Sequence, residues 1–269
     1  MKLFYRELGQ GDQNLIIIHG LYGSSDNWLS IARLLEDKFK IFIIDQRNHG
    51  MSPHSQEMNY GVMAQDLKDF MQQKQLDKAI IMGHSMGGKT AMAFALQNPT
   101  LVDKLVVLDI APKSYNNFSN YAHITNDHRT IIDALLSVNP SEHASRSSVD
   151  KILKERIPND MVRSFLLKNI GRGEDKKLFW KLNLNAISTH LDELMDGVSE
   201  FEANPEFPEE KTVIMIRGAK SPYVQDEDMQ QMRKYFPSAQ LADIPNAGHW
   251  LHAEQTELFI KTLKYFLEI

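Results

Sequence analysis

A serine hydroxyl is a poor nucleophile at neutral pH until a neighbouring base takes its proton and a third group fixes the tautomer of that base. Ser85 is set out for such treatment, in the segment Gly83-His84-Ser85-Met86-Gly87-Gly88. A β-rich run precedes this segment and a helical pattern follows it, the strand-turn-helix context of a G-x-S-x-G elbow. The turn is too tight for side chains at Gly83 and Gly87, and with glycine there the hydroxyl projects above the sheet. The plainer reading is a turn serine capping the helix that begins at Met86. The flanking elements favour the elbow. Of the ten histidines, His249 is the best base: Ala247-Gly248-His249-Trp250 falls between the last expected strand and the last helix, in a loop that can reach the carboxyl edge of a parallel sheet. His54, His123, His128, His143, His190 and His252 are read as surface or capping residues.

These residues need a frame, and the first half of the chain supplies one by alternating β-branched runs with longer helical patterns, as in a parallel sheet covered by helices on both faces. Strands are predicted at Leu15 to His19, Ile41 to Asp45, Ala79 to Met82, Leu105 to Asp109, Thr212 to Arg217 and Leu241 to Ile244, with another near the amino terminus at Lys2 to Glu7. Helical spacing marks Trp28 to Leu35, Tyr60 to Gln73, Met86 to Leu96 and Thr256 to Leu267. The rhythm stops after Asp109. From Pro112 to Phe207 the patterns are helical with no strand clearly belonging to the sheet, so residues 1–111 and 208–269 are expected to form the core and 112–207 an inserted helical lid. Prolines mark its edges, at Pro112 and at Asn204-Pro205 and Phe207-Pro208. Neither repeats nor low-complexity tracts interrupt this plan.

Composition narrows the chemistry. The 269 residues are 42% hydrophobic and 24% charged, ordinary for a globular domain, and there is no cysteine to act as nucleophile, thiolate ligand or disulfide. A net charge of −5 gives no electrostatic footprint for nucleic acid. Charges at Arg6 and Glu7 break any secretory h-region, and the longest apolar runs are strand-length, so no membrane span is expected and the default location is the cytoplasm. The sequence shows no H-E-x-x-H, no close carboxylate and histidine cluster, no G-x-G-x-x-G and no phosphate loop. Neither metal nor cofactor is expected, and side chains must perform the chemistry, which fits acyl transfer through a serine ester.

The strand order, the Gly-His-Ser-Met-Gly-Gly segment, His19-Gly20 and the late Gly248-His249 pair together resemble the α/β-hydrolases over nearly the whole chain. More narrowly, His19 to Trp28, Asp45 to Ser52, Leu108 to Pro112, Ser221 to Val224 and Asn246 to Ala253 are similar to the YbfF-type bacterial esterases and the related abhydrolase-domain-11 proteins. The resemblance implies an α/β-hydrolase fold, with a mostly parallel central sheet, helices on both faces and the inserted lid. It also implies an oxyanion hole made by the backbone N–H groups of Leu21 and Met86, with Gly20 and Gly23 shaping the first of these loops. His19 is given a structural role in holding that loop, and Asp45, Arg47 and His49 a scaffold role in a turn network.

The acid departs from the commonest pattern of that family, in which an aspartate follows the penultimate strand. That place reads Arg217-Gly218-Ala219-Lys220-Ser221. A serine cannot hold a charged imidazolium as a carboxylate does, so either another acid takes over or the enzyme works as a dyad. Asp109, at the carboxyl end of the strand after the elbow strand, is well placed to take over, and the YbfF-type esterases resemble this arrangement. Asp226 and Asp228 are the competitors, better read as charging the first turn of a helix. The reading is therefore a serine carboxylesterase of small to medium acyl esters, with Ser85, Asp109 and His249 as its triad. Tyr115, Phe118, Tyr121, Phe165, Phe179, Trp180 and Phe201 are candidates to wall an apolar acyl pocket. The basic stretch from Lys151 to Lys181 suggests a first alternative, an acyl-CoA thioesterase, in which it would meet the phosphates. A second alternative is a lyase or ligand-binding member of the same fold.

Overall fold

Runs such as Leu15-Ile16-Ile17-Ile18 have aliphatic residues on both faces, so they are stable only where both faces are covered. In the computed structural model, which describes residues 1–116, 122–198, 201, 208 and 212–269, they form the middle of a seven-stranded sheet. The strands are β1 (Tyr5–Leu8), β2 (Gln13–Ile18), β3 (Phe39–Ile44), β4 (Ala79–His84), β5 (Val102–Leu108), β6 (Ile170–Arg172), β7 (Leu178–Trp180), β8 (Val213–Gly218) and β9 (Gln240–Ile244). The sheet order is β1-β3-β2-β4-β5-β8-β9. All pairs in it are parallel except β1 with β3, where Tyr5 lies opposite Ile44. The strand expected at Lys2 to Glu7 thus starts later and runs antiparallel along the edge.

Residues alternate between the two faces. Leu15, Ile17, Ile80, Met82, Val106 and Leu108 pack with Trp28, Ile31, Phe259 and Leu263 of α1 (Leu29–Arg33), its preceding 3₁₀ turn and α11 (Thr256–Leu267). Ile16, Ile18, Ile81, Leu105 and Val107 pack with α2 (Tyr60–Gln73), α3 (Met86–Gln97) and α9 (Asp228–Tyr235) on the opposite face. Each such aliphatic side chain withdrawn from water contributes about 1.5–3 kcal/mol before chain entropy is counted, which makes the sheet the rigid part of the molecule.

Between β5 and β8 lie α4 (Ala122–Leu136), α5 (Arg146–Leu153), α6 (Asp160–Leu166), α7 (Leu184–Thr189) and α8 (Leu191–Met195). The hairpin β6–β7 sits among them as a separate antiparallel pair. The short α10 (Leu251–Glu254) precedes α11. Side-chain and backbone hydrogen bonds join this inserted segment to the sheet layer. Asn169 donates to the Tyr22 carbonyl at 2.8 Å, and Asn183 N–H donates to the Asn48 carbonyl at 3.0 Å. The buried Lys89 ammonium of α3 donates to the Met195 and Asp196 carbonyls at the end of α8, and burial draws its pKa down to about 7. Pro112 lies just beyond Asp109, Ile110 and Ala111, which follow β5, whereas Asn204, Pro205 and Phe207, expected at the far edge of the insertion, lie outside the described residues. Among the described residues no helix is long and apolar enough to cross a membrane.

Candidate active site

Strand order reverses direction at β2 and β4, because β2 continues to β3 on one side and β4 to β5 on the other. The carboxyl ends of such a pair open a crevice, and both the Gly20–Gly23 loop and Ser85 emerge there. Ser85 has φ 54° and ψ −123°, a conformation that a side chain rarely adopts and that its surroundings must impose. They do so through glycine. A Cβ on Gly83 would lie 2.1 Å from the Gly87 carbonyl oxygen, and one on Gly87 would lie 2.4 Å from the Ile18 carbonyl oxygen. The missing side chains let α3 press against the ends of β2 and β4, while Ser85 N–H donates to the Leu108 carbonyl at 3.0 Å.

One strand further along, Asp109 turns out of β5 at a positive φ of 51° and is wholly buried. Its Oδ1 accepts from Gly218 N–H at 2.9 Å, and its Oδ2 accepts from the Ser221 hydroxyl. The same Oδ2 lies 2.7 Å from His249 Nδ1. A carboxylate can only accept, so Nδ1 carries the hydrogen and Nε2 keeps a lone pair, the tautomer needed to remove a proton from a hydroxyl. Asp226 is exposed and pairs with Arg217, and Asp228 is buried against Lys113, with Oδ2 2.6 Å from Nζ, at the first turn of α9. Neither competitor is paired with His249.

Ser85 and His249 line one cavity of about 210 Å³. Its walls are Tyr22 and Trp28 near the sheet, Trp250 beside His249, and Ile131, Val162, Phe165 and Leu166 from α4 and α6. Of the aromatic residues expected to wall such a pocket, Phe165 does so. Tyr115 is buried behind Tyr223, Trp180 donates to the Val138 carbonyl within the insertion, Phe179 is largely exposed, and Phe201 packs against α2 near Gly61. Phe118 and Tyr121 lie outside the described residues. A second cavity of about 10 Å³, little more than a water molecule, is lined by Leu21, Ser85 and Met86 together with Lys89 and Tyr115. The N–H groups of Leu21 and Met86 have no hydrogen-bond acceptor among the described residues.

The loop that carries Leu21 is pinned on every side. His19 Nδ1 donates to the Gly20 carbonyl and its Nε2 accepts from Gln46 N–H at 3.0 Å, so both ring nitrogens are engaged in holding the chain. His49 Nε2 accepts from Tyr22 N–H at 3.2 Å, and Asp45 accepts from Ser25 and Met51 N–H groups. Arg47 pairs with the buried Asp66 at 2.6 Å. Burial keeps these rings uncharged: His19 is pushed down despite the nearby Asp45 carboxylate, and His49 falls to about 3.

Other histidines depart from the surface role expected of them. His252 is buried and stacks on Trp28 with ring centroids 4.1 Å apart, and His128 of α4 reaches the cavity. Ser221, unsuited to be the acid, instead donates its hydroxyl to Asp109. His54 and His190 bind carbonyl oxygens at the edge of the insertion. The basic residues Lys151, Lys154 and Lys168 line a separate groove on the outer side of α5 and α6, where Arg163 is already paired with Asp150 and Asp160.

Comparison with known proteins places the chain in a family. Residues 13–256 match the model of the family described as the alpha/beta hydrolase fold. The chain belongs to the α/β-hydrolase family. It is 34% identical over 271 residues to Esterase YbfF of Escherichia coli strain K12, covering 99% of each chain. It is 36% identical over 264 residues to the sn-1-specific diacylglycerol lipase ABHD11 of Danio rerio, covering 97% of this chain and 80% of that one. Among solved structures, a marine microorganism esterase superposes with a TM-score of 0.92 at 43% identity, covering 98% of this chain and 99% of that chain.

Proposed function

We propose that the protein is a serine carboxylesterase that hydrolyses esters of small to medium acyl groups through an acyl-enzyme. Ser85 Oγ attacks the ester carbonyl while His249 Nε2 takes its proton, and the resulting imidazolium returns that proton to the departing alcohol. Water, deprotonated by the same nitrogen, then attacks the acyl-enzyme, and as the ester bond breaks the proton passes from Nε2 to Ser85 Oγ, releasing the acid and restoring the hydroxyl. Asp109 holds His249 in the working tautomer and balances its transient charge. The Leu21 and Met86 N–H groups receive the oxyanion, and a single donor of this kind is worth about 10²–10³ in turnover.

One observation carries the reading: a buried carboxylate 2.7 Å from His249 Nδ1 fixes the ring of a histidine that shares a cavity with the serine of a glycine-bounded elbow. The two uncommitted N–H groups beside Ser85 support it further. We assign residues 112–207 the part of a lid over the core formed by 1–111 and 208–269, because α4 and α6 supply one apolar wall of the cavity. Ester hydrolysis is preferred to acyl-CoA thioester hydrolysis because the basic groove and the cavity share no lining residue.

A fluorophosphonate probe tests the assignment. Labelling should reach one equivalent per folded chain and disappear in Ser85→Ala. Folded protein that takes up no probe would favour a lyase or ligand-binding role instead.

A further inference from the structure

Asp109 grips the His249 ring at one nitrogen. A single hydrogen bond leaves the ring free to tilt about the Nδ1···Oδ2 line, and such a tilt swings Nε2 away from any hydroxyl it serves. Misplacement of a reacting group by about 1 Å can cost about 10²-fold in rate. Something else must fix the plane of the ring.

Tyr223, in the loop after β8, lies flat against it. The ring centroids are 3.9 Å apart and the planes differ by 18°. Tyr223 is itself held at three points. Its N–H donates to Ser221 Oγ at 3.3 Å, its carbonyl accepts from the Tyr115 hydroxyl at 2.7 Å, and its own hydroxyl lies 3.0 Å from His128 Nε2. Burial keeps the His128 imidazole neutral, with a pKa near 4, so a hydroxyl and a single ring N–H share this bond and either can donate. His128 belongs to α4, and its carbonyl also accepts from the Tyr22 hydroxyl of the Gly20–Gly23 loop, at 3.3 Å. Through Tyr223 the imidazole is therefore tied to Ser221, which supports the acid, and to the helix that roofs the cavity.

Resting on the assignment of His249 as the base, we propose that Tyr223 is a positioning residue for this reaction. Its ring fixes the plane of the His249 imidazole and faces the imidazolium formed during attack, and its hydroxyl bond to His128 anchors that ring from the inserted segment. An aromatic face favours a cation stacked on it, so the contact strengthens as the proton is transferred.

The test compares Tyr223→Leu, Tyr223→Phe and His128→Phe on one ester substrate. Loss of the flat face in Tyr223→Leu should lower kcat about tenfold or more with KM changed less than about threefold, since the interaction serves the transition state. The downfield proton resonance of His249 Nδ1–H should broaden or vanish in that variant. Tyr223→Phe keeps the face, so it should retain the resonance and lose less kcat. His128→Phe should match it, and the double variant should be no worse than either alone. Tyr223→Met, which fills the space without a flat face, carries the same expectation as Tyr223→Leu should the latter not fold. Wild-type kcat and an intact resonance in both Leu and Met variants would overturn the proposal, as would a loss in Tyr223→Phe equal to that in Tyr223→Leu. Ser85→Ala and His249→Ala serve as controls: ester turnover surviving in either defeats the assignment of Ser85 as nucleophile and His249 as base, whatever Tyr223 does.

Discussion

Asp109 is a carboxylate with no solvent contact whose charge is met by donors from Gly218, Ser221 and His249. Replacing it with asparagine keeps the shape but offers an amide N–H where only an acceptor serves, which forces His249 into the wrong tautomer. Asp109→Asn should lower kcat by about 10⁴, the size of the corresponding effect in a serine protease triad. Asp226→Asn, at an exposed side chain paired with Arg217, should leave kcat within about twofold, by the usual smallness of surface changes. Steady-state kinetics on both variants decides the point, and the reverse pattern would move the acid to Asp226. Ser85, His249 and Asp109 stood out in the sequence as candidates because each occupies the end of a recognisable strand or a glycine-marked turn. Ser221, Tyr223 and His128 did not. Their partners lie 112, 26 and 95 residues away along the chain, and nothing in a hydroxyl or an imidazole announces a distant partner.

At the scale of elements, the elbow depends on atoms that are missing. Gly83→Ala would place a methyl group 2.1 Å from a backbone oxygen of α3, with no flexible side chain to give way. Backbone must shift, and a cost of about 3 kcal/mol or more follows, equivalent to a fall in Tm of roughly 10 °C for a chain of this size. Thermal denaturation followed by circular dichroism measures it; an unchanged Tm would mean that α3 does not press on β4 as described. The buried parallel strands were readable because aliphatic runs on both faces leave few other solutions, and their ends fell within a few residues of expectation. The direction of β1 was not, since alternation does not encode whether an edge strand runs up or down. The hairpin β6–β7 escaped because strands of three residues are too short to establish a period.

The whole molecule stores several uncharged imidazoles. Burial, with the neighbouring His249 as a lesser cause, pushes His84 far below its ordinary value, His128 to about 4 and His252 to about 3; burial likewise lowers His19, and takes His49 to about 3. A free imidazole protonates near 6.5, so below that pH the unfolded chain binds protons that the folded one refuses. Stability should therefore be full above about pH 6.5 and fall as pH drops toward 4, by up to about 1.4 kcal/mol per pH unit for each ring. Urea denaturation at pH 7.5, 6 and 5 checks the sign, and a midpoint that holds steady or rises toward pH 5 would show that these rings are charged in the folded state. That helices dominate the stretch between β5 and β8 was visible in the change of rhythm after Asp109. The cavity walls were not, because which aromatic residues face inward depends on how α4 and α6 dock on the sheet.

The most direct test of the central claim is to catch the ester bond on the enzyme. Rapid acid quench during turnover of a 4-nitrophenyl ester, followed by peptide mass spectrometry, should find one added acyl group on the peptide containing Ser85, and none in Ser85→Ala. Continued turnover with no acyl adduct, or an adduct on another residue, would contradict the account.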